Sequence, residues 1–221
     1  MTDPRCRALR AVAILVVGTA AGAAAAPAGA QGAGAEWPAL VQRYEAAVQR
    51  APGDPGAHFT LAMLYARDGR LLDGWKHLQE ADRAAGPGRR LAMARQVAVE
   101  AQALLRRNPN DLLARYRLAF ATYVLGDHAA VAAEFERITT ADPRNDWGFG
   151  YLGQAYATLG RDDRAIAAWQ RGLQINPDNA VLHYVLALAY TRQGDRRAAA
   201  RHLAAAYRDR TLYDYVTGNR R

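Results

Sequence analysis

Residues 146–179 read DWGFGYLGQAYATLGRDDRAIAAWQRGLQINPDN, and this stretch decides the fold. Its apolar residues recur at helical spacing, with Ile166, Trp169 and Leu173 on one stripe. Gly160 stands at a bend that lets the chain reverse into a second helix. Pro177 cannot extend that second helix, because it has no backbone N–H and its ring clashes with the preceding turn. Two helices of this kind cannot bury their own apolar faces, so stacked neighbours must do so.

The rest of the chain supplies the neighbours. Pro109, Pro143 and Pro177 are spaced by 34 residues, within the phrases RRNPND, TTADPRND and LQINPDN. In that register Leu118-Ala119, Leu152-Gly153 and Leu186-Ala187 align. So do Gly126, Gly160 and Gly194, then Val131, Ala165 and Ala199, then Phe135, Trp169 and Leu203. Tyr156 matches Tyr190, with Thr122 in the earlier copy. A further copy begins at Pro55, with Leu61-Ala62, Tyr65, Gly69 and Leu78 in the same places.

This pattern resembles the tetratricopeptide repeat family, whose unit is two antiparallel helices in 34 residues. Residues 146–179 carry Leu152, Gly153, Tyr156, Ala165, Trp169 and Pro177 at the family's signature positions. The resemblance implies an all-α solenoid of antiparallel helix pairs, with units at 55–88, 112–145, 146–179 and 180–213. Small residues such as Gly153 and Ala165 are expected where two helices approach closely. Three segments depart from the pattern. Residues 89–111 read as one extra long helix after Gly86-Pro87-Gly88, and residues 31–54 as a flexible lead-in with a lone helix ended by Pro52-Gly53. The last unit has Thr211 where the closing Pro is expected, and residues 214–221 read as a tail.

The first 30 residues have the layout of a secretory signal peptide. Arg5, Arg7 and Arg10 precede the apolar run from Ala11 to Ala26, and Ala28-Gly29-Ala30 fits a cleavage site. The strongly apolar part is too short to span a bilayer. An exported protein, periplasmic or extracellular, is therefore expected; an uncleaved N-terminal tether is the alternative. Cleavage would lower the formal charge from +8 to +6, because residues 1–30 hold three Arg and one Asp.

Composition excludes much chemistry. There is no Ser, and the only Cys is Cys6, within the leader. The remaining chain offers no Ser or Cys nucleophile and no thiolate ligand. His58, His77, His128, His183 and His202 show no i, i+4 pair and no HExxH motif, so they read as helix-surface residues, and no metal or other cofactor is expected. Gly148–Gly153 matches GxGxxG, but it opens no strand-to-helix turn, which dinucleotide binding requires. Asp162-Asp163 lies at an inter-helix turn and reads as helix N-terminal charge. An enzyme is not expected.

The family resemblance implies that the first helix of each unit lines a concave groove. By register, Tyr116, Tyr123, Trp147, Tyr151 and Tyr184 fall there, with Arg117 and Arg192 supplying charge and Arg67 also at the border. Aromatic residues and Arg are enriched at binding hot spots. The expected role is a non-catalytic scaffold that docks a segment of a protein partner, in cell-envelope assembly or secretion. Some family members grip C-terminal carboxylates with Lys and Asn. The equivalent positions here hold Tyr116, Phe120, Gly150, Gln154, Tyr184 and Leu188, so that pattern is absent. A rival reading uses the C-terminal stretch, where Arg192 to Arg221 holds eight Arg against three Asp, as a surface for nucleic acid or an anionic membrane. Nucleic acid is the less expected of the two for an exported chain. Self-association through an open solenoid end is a third possibility.

Overall fold

The computed structural model describes residues 37–217, and the proposed leader lies outside them. Among the described residues there are eleven helices and no strand. They are α1 (Trp37–Arg50), α2 (Pro55–Arg67), α3 (Leu71–Ala85), α4 (Arg90–Arg107), α5 (Leu112–Leu125), α6 (His128–Ala141), α7 (Asp146–Thr158), α8 (Asp162–Ile175), α9 (Ala180–Gln193), α10 (Arg196–Ala206) and α11 (Arg210–Thr217). The fold is all-α, as the repeat implied.

The recurring polar residue after each Pro has a defined task. Asp111, Asn145 and Asn179 cap α5, α7 and α9, accepting from the amides of Ala114, Gly148 and Leu182 at 2.9, 3.0 and 3.0 Å. Asp54 does the same for α2, with Pro55 in the first turn. Each cap satisfies an amide that has no partner inside its helix. At the bend inside two of the pairs, Gly126 and Gly194 adopt left-handed backbone at φ 83° and 82°. A Cβ there would be strained, which is why the turn selects Gly.

Pairs α2/α3, α5/α6, α7/α8 and α9/α10 occupy the four 34-residue registers. Gly153 shows what holds a pair together. A Cβ on Gly153 would lie 2.3 Å from Nε1 of Trp169 on the partner helix, and that indole donates to the Gly150 carbonyl at 3.1 Å. The GxGxxG string is thus a packing surface inside α7. Asp162 and Asp163 stand in the first turn of α8, where carboxylates favour the helix dipole.

The core is one long layer from Trp37 to Leu212, running through Tyr116, Phe135, Tyr151, Trp169 and Leu186. A second cluster joins Phe59, Met93, Val97 and Leu118 around α4. The extra helix α4 is therefore a packed element between α2/α3 and α5. Helix α11 covers Ala206 with Leu212, which is 1% exposed, over the stretch read from sequence as the end of the last unit and the start of a tail.

Candidate partner-binding face

The first helices α2, α5, α7 and α9 carry the aromatic residues that the repeat register placed in a groove. The structure divides them into two groups. Tyr116, on α5, is fully buried (0% exposed). Its ring meets Trp37 edge-on at 5.4 Å and lies 6.3 Å from Phe135. Its hydroxyl points at Asp142. Burial raises its pKa above the ordinary phenol value, the nearby Arg67 opposing this. Tyr151, on α7, is also buried; its ring stacks on Phe135 at 5.3 Å and its hydroxyl donates to the Ala66 carbonyl at 3.1 Å. Burial again pushes the phenol up.

The cover over these rings comes from the chain's own first helices. Arg67, the last residue of α2, lies over the Trp37 ring at 4.1 Å and bonds Asp142 at 2.8 Å and Asp68 at 2.6 Å. Asn145, just before α7, donates to the Arg67 carbonyl at 3.2 Å. The Trp147 indole sits against Gly69, where a Cβ would come within 2.3 Å of Nε1. Gly69 has φ 74° and so favours Gly twice over, by backbone and by space. Helix α2 thus rests across the start of α7, two units away in sequence.

The second group is less covered. Tyr123 is half-buried at the C-terminal end of α5, and burial raises its phenol pKa. Together with Phe120, Tyr151 and Gln154 it lines a small apolar depression of about 20 Å³. A neighbouring depression of about 10 Å³ lies between Trp147, Trp169 and Val185. Tyr184, on α9, departs from this second group, being 8% exposed and so buried like Tyr151, with its phenol raised by burial and by Tyr207. Arg117 and Arg192 are both paired. Arg117 bonds Glu100 of α4 at 2.9 Å, and Arg192 bonds Asp162 of α8 at 3.0 Å. Each ties its helix to the preceding one.

The structure therefore brings Tyr116, Trp147, Tyr151 and Tyr123 around one aromatic cluster and leaves Tyr184, Arg117 and Arg192 on flanking contacts. Trp37, Asp142, Asn145 and Gly69 belong to this region, and the sequence reading did not assign them a part in it. The C-terminal Arg196, Arg197 and Arg201 are exposed along α10. Among the described residues no three or more His, Cys, Asp or Glu side chains gather as a metal site, and no helix is long and apolar enough to cross a membrane.

Comparison with known proteins agrees with this architecture. Residues 142–194 match the family model described as TPR repeat. Cellulose synthase 2 operon protein C of Komagataeibacter xylinus is 32% identical over 147 residues, covering 58% of this chain and 11% of that protein. Small glutamine-rich tetratricopeptide repeat-containing protein 2 of Mycosarcoma maydis is 30% identical over 80 residues, covering 36% of this chain and 23% of that protein. The chain thus spans a tenth to a quarter of the length of these relatives. Among solved structures, the MamA RS-1 ArsTM double mutant superposes with TM-score 0.52 at 15% identity, covering 97% of this chain and 99% of that one. A second MamA crystal structure gives TM-score 0.51 at 16% identity over 79% and 83% of the two chains. At such identities the likeness is one of fold. Helix pairs recur every 34 residues, and the TPR repeat model matches one of these pairs, α7/α8, together with α9 of the next.

Proposed function

We propose that this protein is a non-catalytic scaffold that docks a segment of a partner protein on the unsealed part of its first-helix face. The observation that carries the reading is the small apolar depression beside Phe120, Tyr123 and Gln154, next to rings that the chain itself covers. A concave apolar surface with a few polar groups suits a short helix or an extended peptide. Tyr123 and Trp147 make the contact; Tyr116 and Tyr151 form its floor; Tyr184, Arg117 and Arg192 hold the adjoining helices in place. Export through the N-terminal segment and a role in cell-envelope assembly complete the proposal. It draws support from the leader-like sequence and from the name of the Komagataeibacter relative.

The test is affinity capture from envelope extract followed by calorimetry with the purified partner. Tyr123→Ala is expected to weaken binding about tenfold, equivalent to about 1.4 kcal/mol, with little effect of added salt. Binding that ignores Tyr123→Ala, falls steeply with salt and disappears when Arg197 and Arg201 are replaced would instead favour an anionic surface as the target of α10.

A further inference from the structure

Four of the five histidines meet in two pairs. Nδ1 of His58, on α2, lies 3.0 Å from Nδ1 of His77, on α3. Nδ1 of His183, on α9, lies 2.9 Å from Nδ1 of His202, on α10. The two pairs hold the same places in the first and last helix pairs, with 19 residues between partners. A tyrosine ring stands 5.5 Å from the outer histidine in each case, Tyr65 over His77 and Tyr190 over His202. In the unit at 112–145 those places hold an ion pair, Arg115 with Glu134 at 3.0 Å, and in the unit at 146–179 they hold Phe149 and Ala168.

The proton positions follow from the partners. Nε2 of His58 is 3.0 Å from the Pro52 carbonyl oxygen, and Nε2 of His183 is 2.9 Å from that of Pro177. A carbonyl only accepts, so both Nε2 atoms carry the proton, and each neutral ring turns a bare lone pair at Nδ1 toward its partner. His77 and His202 then donate Nδ1–H across the pair. An imidazole whose one N–H is tied to a carbonyl while its other nitrogen is free is the arrangement that metal-bound histidines adopt. Two imidazole nitrogens about 2.0–2.1 Å from one tetrahedral zinc ion stand about 3.3–3.4 Å from each other. The observed separations are hydrogen-bond lengths a few tenths of an ångström shorter, so each pair needs only a small opening to reach that spacing.

We propose that each histidine pair is a two-imidazole site for a borderline divalent cation of the zinc, nickel or copper(II) class. On binding, the proton shared at Nδ1 moves to Nε2 of His77 or His202, so the neutral pair loses no net proton, and water completes the coordination shell. The rings lie nearly head-on, with centroids 5.2 and 5.1 Å apart, and must hinge open slightly to admit the ion. His77 and His202, which among the described residues have no carbonyl tie at Nε2, are the rings that move. His77 faces Glu45 from α1 and Asp73 and Glu80 from its own helix, whereas His202 has Arg201 beside it. The first site is therefore the tighter one. A cation in either site staples the two helices of an end unit together.

Calorimetric titration of the tag-free full chain with zinc chloride at pH 7.5 tests this. Two equivalents are expected, the tighter lost in His77→Gln, the weaker in His202→Gln, and both in the double variant. At pH 5.5 each affinity falls about tenfold or more, because protons compete for the nitrogens. Zinc raises the melting temperature of the wild type and not of the double variant. Should a variant lose its far-UV signal, the wild type alone suffices. Zinc then shifts the imidazole nitrogen resonances of His58, His77, His183 and His202 and leaves that of His128 in place. Absence of saturable zinc uptake by the wild type, uptake undiminished in the double variant, or a shift at His128 alone overturns the proposal.

Discussion

Tyr116 and Tyr123 lie seven residues apart on one helix, and the repeat register gives both the same face. One is sealed under Trp37 and Arg67; the other is half-buried and borders a small depression. The difference comes from outside the repeat. The extra helix α4 enters between α2/α3 and α5, and the end of α2 comes to rest against the start of α7. The N-terminal part of the face is thereby used as core, and the part beyond Phe120 is less covered.

The comparison can be broken most forcefully at Tyr116. Tyr116→Ala removes a fully buried ring and is expected to cost about 3–5 kcal/mol in urea unfolding; a cost near zero would place the ring in solvent. Next in size is Gly69→Ala, which forces a Cβ into the Trp147 indole and strains a positive φ. A loss of about 1–3 kcal/mol is expected, with a red shift of tryptophan emission as the cover lifts.

The phenols sharpen the same contrast. Tyr65 is pushed up to about 12 by burial and its bond to Glu45, and Tyr116 and Tyr151 are raised by burial. Each keeps its proton longer in the folded chain than in the unfolded one, where phenols titrate near about 10. The stability from this difference is complete below that pH and drains away as pH rises through the folded values. Denaturation at stepped alkaline pH therefore shows falling stability, and Tyr116→Phe flattens the slope. The smallest effect belongs to Tyr123→Ala, expected to cost about 1 kcal/mol or less in stability while weakening partner binding.

Much of this molecule is legible in its sequence. The 34-residue rhythm of Pro109, Pro143 and Pro177 announces the helix pairs, and the Asp or Asn after each Pro announces the caps. Gly153 is readable as a packing glycine because its place in the repeat demands close approach. The closure of α2 onto α7 is not readable. It joins residues 75 to 85 positions apart, through Arg67–Asp142 and Tyr151–Ala66, and it depends on the path that α4 imposes. A buried stripe and an exposed groove also share one periodicity, so Tyr116 and Tyr123 look alike until their neighbours are known. The histidine pairs did leave a signal, since His58 and His77 align with His183 and His202 once the first and last units are superposed. A search for i, i+4 spacing passes over it, because the partners sit on opposite helices of a pair.

The central claim is that the chain closes part of its own face through α2 and the residues before α7. A double-mutant cycle on Arg67 and Asp142 tests it most directly, because these side chains, 11% and 14% exposed, meet only if that closure exists. Arg67→Met, Asp142→Asn and the double variant should show a coupling of about 1 kcal/mol or more in urea unfolding. Losses that add within about 0.3 kcal/mol would mean that the two residues do not touch and that the face is open along its whole length.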